Sequence, residues 1–408
     1  MDKIRKTAPD VYEIIQKEIK RQEETLDLIP SENYASKAVL EAAATVFTNK
    51  YAEGYPGQRY YPGCKVVDEL EILCQKKAKE VFSLKDDWDV NVQPLSGGPA
   101  NFTVYFGLLQ PQDKILSMQL SHGGHLSHGH KVNISSKIYQ IVHYGVNDNG
   151  YIDYDNLREI ALRERPKLII SGATAYPRII DFKKFGEIAK EVGSYHLADI
   201  SHIAGLISAG LHPSPFEYSD VVMTTTHKTL RGPRSAVIFF KKELATQINK
   251  AVFPGIQGGG HHHIICAKAV AFEEALKPEF KDYQNQIIKN ANALAEELKK
   301  KGFKLLTDGT DNHLLLINLR NVIDASEAEN LLEQANILAN RNTIPGDESP
   351  FKPTGLRLGT PAATTRRMKE NEMQIIADWF YRLLISKDNP EKVKKEVIKL
   401  CKKFLIPR

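Results

Sequence analysis

Short apolar runs recur between residues 114 and 240, at 114–118, 137–144, 167–172, 195–200, 220–226 and 235–240, each of five to eight residues and rich in strand-forming types. Stretches of helical period, such as 182–192, separate several of them. Strand and helix patterns in alternation predict an α/β domain with a largely parallel sheet, in which active residues collect at the carboxyl ends of the strands. Ahead of this region, Val11, Ile14, Ile15 and Ile19 fall at helical spacing among Lys and Glu, with Pro9 suited to a first turn, which predicts an amphipathic N-terminal arm. After Gly258, Gly259 and Gly260 the pattern becomes helical through residue 299. A strand over 314–319, a helix over 326–334 and a Pro/Gly-rich loop over 345–353 follow, the makings of a smaller α+β domain. Helix punctuation at Lys277 and Pro278 sets the expected boundary, so the chain divides into an arm (1–29), a large domain (30–277) and a small domain (278–408).

At 408 residues and 42% hydrophobic composition, the chain exceeds what one small core would hold. Its 55 Lys and Arg against 50 Asp and Glu leave a net charge of +5, spread along the chain rather than gathered in one patch, so no nucleic-acid site is expected. Cys64, Cys74, Cys266 and Cys401 form no C-x-x-C pair, which suits a reducing cytoplasm and argues against a disulfide framework or zinc ribbon. No apolar run resembles a signal peptide or a membrane span, and the expected location is cytoplasmic.

Candidate chemistry begins at Lys228, in the run TTTHKTLRGPR (224–234) that follows apolar residues 220–223. A lysine after a strand is ordinarily a surface residue. Among hydroxyls at the end of an apolar strand, however, its amine can be partly desolvated and held near neutrality, the form that condenses with an aldehyde. The run resembles the pyridoxal-phosphate (PLP) lysine segment of serine hydroxymethyltransferases. LIPSENY (28–34), NKYAEGYPGQRYY (49–61) and ADISHIAG (198–205) extend the resemblance over residues 8–400. It implies the fold-type I architecture of PLP-dependent transferases.

The resemblance also implies a site. Lys228 would carry PLP as a Schiff base. Asp199 would hold a proton on the pyridine nitrogen, making the ring an electron sink, and His202 would approach the phenolic oxygen. In LSGGPAN (95–101), Ser96, Gly97 and Gly98 would receive the phosphate at a helix N-terminus, Gly98 standing where relatives often have a second serine. Gly258 and Gly259 match the loop that reaches phosphate from a neighbouring subunit, with Tyr51 near it across the boundary. His125, in GGHLSH (123–128), would stack on the ring. The density of His122, His125, His128 and His130 raises the question of zinc, but no carboxylate or cysteine joins them and no metal is expected. Thr174 keeps a hydroxyl for the ring, and His227 and Arg234 lie beside the cofactor region.

Arg357, in TGLRLGTP (354–361), is the expected clamp for the substrate carboxylate, together with Ser31. Glu53, among Tyr55, Tyr60 and Tyr61, would be desolvated enough to act as a protonated acid near the transferred hydroxyl. Tyr61 would complete that pocket, although Pro62 replaces a common glycine beside it. Asn342 matches the segment that binds the pterin. The implied activity is serine–glycine interconversion with transfer of the hydroxymethyl group to tetrahydrofolate or a modified pterin, in a homo-oligomer of at least two chains. The alternative is a folate-independent β-hydroxy amino acid aldolase, which needs only the PLP half of the site.

Overall fold

The computed structural model describes residues 1–347, 349 and 352–407. A seven-stranded sheet is built from β1 (Trp88–Asn91), β2 (Lys114–Met118), β3 (Gln140–Tyr144), β4 (Leu168–Ser171), β5 (Tyr195–Asp199), β6 (Val221–Thr225) and β7 (Ala236–Lys241). Its order is β1-β7-β6-β5-β4-β2-β3, and β7 runs antiparallel to both of its neighbours while the remaining pairs are parallel. The expected α/β class and largely parallel sheet are therefore present.

Both faces of the sheet are covered, as the continuous apolar character of the strands requires. Leu168 and Ile170 of β4 join one core with Ala100, Val104 and Tyr105 of the helix Gly97–Leu108, whereas Ile169 points into the opposite core. Residues of the helix Phe182–Val192 show how sequence sets that second layer. Asp181 caps its start by accepting from the Lys184 amide, Gly193 ends it at φ 72°, and Phe182, Phe185, Ile188 and Ala189 make its buried stripe. Each of the two phenylalanines contributes about 1.5–3 kcal/mol of apolar burial.

A second sheet of four antiparallel strands, β8 (Lys304–Leu305), β9 (Leu314–Asn318), β10 (Asn340–Asn342) and β11 (Gly355–Gly359), is ordered β8-β9-β11-β10. Its core combines Leu315, Ile317, Leu356 and Leu358 with helices Pro278–Lys300 and Glu370–Leu384, and it also takes in Leu26 and Leu28 from the N-terminal segment. Arg366, only 1% exposed, ties the two chain ends together there. Its guanidinium donates to the carbonyls of Thr25, Gln22 and Glu23 and to those of Cys401 and Phe404, so one cation meets the negative ends of two helices.

Some elements depart from the sequence pattern. The run 137–144 divides into a helical turn (Ser135–Ile138) and β3, and β1 was not anticipated. The helical region after residue 260 is two helices, His262–Ala275 and Pro278–Lys300, broken where Pro278 was expected to punctuate it. The arm is helical over Pro9–Glu24, but no residue of that helix is buried and Ile14 is 64% exposed. Of the loop expected over 345–353, residues 348, 350 and 351 lie outside the described residues. Among those described, no helix is long and apolar enough to cross a membrane.

Candidate active site

The carboxyl ends of β2, β4, β5 and β6 open onto a cavity of about 710 Å³ that the smaller sheet closes from the other side. Lys228 stands three residues beyond β6 and is 8% exposed. Its carbonyl accepts from Asn33 Nδ2 at 2.9 Å and from the Arg231 amide at 3.0 Å, which anchors the backbone beneath the amine. Burial pushes the amine down to about 8, with Asp199 acting in the opposite sense and Arg357 and Arg234 adding to the depression. A tenth or so of such amines is neutral at pH 7, against a few in ten thousand for an exposed lysine.

Asp199 is the last residue of β5. Burial alone would raise it, but the hydrogen bond from His128 and the other donors around it hold it well below the usual carboxylate range. Oδ2 is 2.9 Å from His128 Nε2 and accepts from Asn101 Nδ2 at 2.9 Å, while Oδ1 accepts from the Ser201 hydroxyl at 2.6 Å and its amide at 3.1 Å. The strand end is also close-packed, for Gly172 (φ 119°) lies where a Cβ would come within 2.1 Å of the Asp199 carbonyl. The carboxylate is thus fixed and ionised, suited to pairing with a protonated ring nitrogen.

Arg357, on β11, is buried without a carboxylate partner among the described residues. Nε and Nη2 donate to Asn340 Oδ1 at 3.2 and 3.1 Å, and Nη1 donates to the Thr174 carbonyl at 2.7 Å. Burial pushes the guanidinium down to about 10. A positioned cation lacking its counter-ion is an anion receptor waiting for a ligand. His125, at the cavity wall, is pushed down to about 4 by burial and by His128, so it presents a neutral ring. His227, also in the wall, is pushed down to about 3 by burial.

Ser96 occupies the N-cap of helix Gly97–Leu108 without capping it through its side chain. Gly97 permits close approach, since a Cβ there would lie 2.6 Å from Thr225 Cγ2, and the buried Thr225 hydroxyl has no partner among the described residues. Free amides at a helix N-terminus beside an unpaired hydroxyl suit a phosphate. Gly98 faces open space, with nothing within 4 Å of a built Cβ. Ser31, Thr174, His202, Arg234 and Asn342 complete the expected set on the wall. A cationic clamp, an ionised acid, a desolvated amine and an unsatisfied helix N-terminus within one cavity fit PLP and an amino-acid carboxylate together.

Five expected residues lie elsewhere. Tyr51, Glu53, Tyr61, Gly258 and Gly259 do not line this cavity. They form a separate cluster, with the Tyr51 and Tyr61 rings 5.0 Å apart and Glu53 Oε1 3.2 Å from the Cβ position of Gly258. Tyr51 is 58% and Tyr61 41% exposed. The enclosure expected to desolvate Glu53 is incomplete in a single chain, because Tyr60 and Tyr61 stand largely in solvent while Tyr55 is half-buried, its hydroxyl donating to the Asn249 carbonyl at 2.6 Å. Conversely, sequence reasoning missed His128, Asn101 and Ser201 as holders of Asp199, Asn340 as the brace of Arg357, and His313 beside His202. His128 and Ser201 lay inside motifs already singled out, and position i+2 after Asp199 was a readable turn signal.

Fold and cavity together define a fold-type I PLP-dependent enzyme. The serine hydroxymethyltransferase family profile matches residues 4–380. The chain is also similar to the serine hydroxymethyltransferase of a Nitratiruptor species, with 54% identity over 415 aligned positions covering 100% of this chain and 99% of that protein. The chain belongs to the serine hydroxymethyltransferase family.

Proposed function

We propose that the protein interconverts serine and glycine with PLP as cofactor, passing the hydroxymethyl group to tetrahydrofolate or a related reduced pterin. The observation that carries this reading is the convergence on one cavity of a buried lysine near neutrality, a fixed carboxylate and an unpaired guanidinium. Lys228 would hold the cofactor through its amine, Asp199 through its ring nitrogen, and the amides and hydroxyls of Ser96, Gly97 and Thr225 through its phosphate. When bound, PLP supplies an electron sink for charge released at the substrate α-carbon.

The chain's own residues do the rest. Arg357 binds the substrate carboxylate through parallel N–H donors, its position fixed from behind by Asn340 and Thr174. Asp199 stays ionised and so keeps a proton on the ring nitrogen it meets. His125 offers a neutral flat surface to the ring. Asn342, on the wall of the same cavity, would hydrogen-bond the pterin. Glu53 and Tyr61 exchange the proton of the serine hydroxyl.

Because those two residues lie off the cavity of their own chain, the same reading makes the protein a homo-oligomer, with Tyr51, Glu53, Tyr61, Gly258 and Gly259 serving a second copy. Support comes from the apolar surface around them, where Tyr60 and Val46 are also exposed, together with the uncovered stripe of the N-terminal helix. Separate cores support a large and a small domain that share the helix Pro278–Lys300, Phe280 packing in the first core and Leu294 and Leu298 in the second. Four free cysteines suit a cytoplasmic location.

Borohydride reduction of the purified protein followed by peptide mapping tests the site. Label is expected on the peptide containing Lys228, and label on another lysine overturns the assignment. Serine cleavage should depend on added tetrahydrofolate; equal rates without it would point to a folate-independent aldolase.

A further inference from the structure

His202 and His313 meet beneath the cavity from different parts of the fold. His202 follows the end of β5 by three residues, and His313 immediately precedes β9, the strand hydrogen-bonded to the one that carries Arg357. His202 Nδ1 and His313 Nε2 are 3.1 Å apart, and both rings are buried, the second completely. The His313 backbone is fixed as well, its carbonyl accepting from the Thr360 amide at 3.0 Å.

Burial, followed by the charge of Lys228, pushes His202 well below the ordinary histidine value, and burial pushes His313 down to about 3. Both rings are then neutral near pH 7, and a neutral imidazole has one N–H and one lone pair. A single proton occupies the bond between them, and the remaining nitrogens decide which ring donates it. Nδ1 of His313 is buried and has no hydrogen-bond partner among the described residues. Were His202 the donor, the only proton of His313 would sit on that nitrogen, an N–H sealed away from any acceptor, which folded proteins rarely tolerate. With His313 as donor, only a lone pair goes unmatched.

We infer that His313 is a positioning residue that donates from Nε2 to His202 Nδ1 and thereby fixes His202 as the tautomer carrying its proton on Nε2. The His202 ring lines the cavity and its Nδ1 is committed to His313, so the proton belongs to the nitrogen left for a ligand. His202 consequently acts as a donor to an electron-rich oxygen and not as a base at that nitrogen. On the PLP reading above, on which only this last identification rests, the oxygen is the phenolic one of the cofactor.

The test uses the full chain labelled with [15N]histidine. In the cofactor-free protein, His202 should show a pyrrole-type Nε2 and a pyridine-type Nδ1, and the reverse pattern overturns the inference whatever the cofactor proves to be. Equilibrium dialysis against PLP supplies a second readout. His313→Leu, which removes the donor, should weaken PLP binding roughly 10- to 100-fold, whereas His313→Gln, whose amide can still donate, should stay within about threefold of the parent. Equal weakening by both substitutions would mean that His313 merely fills space. If the leucine variant does not fold, the tautomer pattern of the unsubstituted chain decides the question alone. Failure of borohydride to label Lys228 would remove the PLP reading and leave the tautomer assignment standing.

Discussion

Around Lys228 the charged groups are buried and individually braced, whereas near Glu53 the rings of Tyr51, Tyr60 and Tyr61 are exposed. Asp199 has four hydrogen-bond contacts and Arg357 donates three hydrogen bonds, all within the same chain. The Tyr51 and Tyr61 rings lie 5.0 Å apart, and Glu53 lies against Tyr51 and beside Gly258 and Gly259, whose Cβ positions would come within 3.2 and 3.5 Å of its side chain. A polar group is braced where burial would otherwise penalise it, so the finished half shows what one chain completes by folding. The open half is surface that the proposed homo-oligomer would enclose. On the proposed homo-oligomer, preorganised electrostatics and delivered proton chemistry would be separated in one chain and joined between two.

The contrast can be broken or sharpened by substitutions on either side. Glu53→Gln removes proton exchange at the transferred hydroxyl and should lower kcat for serine cleavage by about 10²–10⁴. PLP affinity and borohydride labelling of Lys228 should be unchanged; a loss of cofactor would show that Glu53 belongs to the braced half. Arg357→Lys keeps a charge but loses the planar fork, and should raise KM for serine roughly 10- to 100-fold with a smaller change in kcat. An unaltered KM would place the carboxylate elsewhere.

A smaller effect concerns pH. The reactive form of Lys228 is the neutral amine, and its depression to about 8 means that deprotonation occurs below the ordinary lysine range. PLP uptake by the cofactor-free protein, followed by absorbance, should therefore rise with pH by roughly tenfold between 7 and 9 and then level off. Continued increase toward pH 10.5 would show that the lysine is not desolvated. Smallest of all, Gly98→Ser adds a hydroxyl where a Cβ meets nothing within 4 Å, and should tighten PLP binding by no more than about tenfold. Weaker binding would mean that the space beside Gly98 is needed by the ligand itself.

Legibility in the sequence followed the range of the interactions. β2 was readable to the residue because its apolar run is local, and the helix Pro278–Lys300 because Pro278 announces it. β1 was not, since Trp88-Asp-Val-Asn91 is a short polar-apolar mixture that becomes a strand by pairing with β7. Within the site, Lys228, Asp199, His202 and Arg357 were visible as motif residues. Their braces were hidden because Asn101 reaches Asp199 across 98 positions, His128 reaches it across 71, and His313 reaches His202 across 111. The exposure of Tyr60 and Tyr61 near Glu53 was equally hidden, for it leaves no mark on one chain's periodicity.

Mixing two inactive variants tests directly whether the two halves belong to different copies. Lys228→Ala chains and Glu53→Gln chains, each nearly inactive alone, are refolded together at equal concentration. If Glu53 of one copy serves Lys228 of another in a dimeric arrangement, half of the pairs are hybrids with one intact site, and serine cleavage should recover to about a quarter of the parent rate. If both residues act within one chain, every site in the hybrid lacks one of them, and activity that stays at the level of the separate variants would contradict the account.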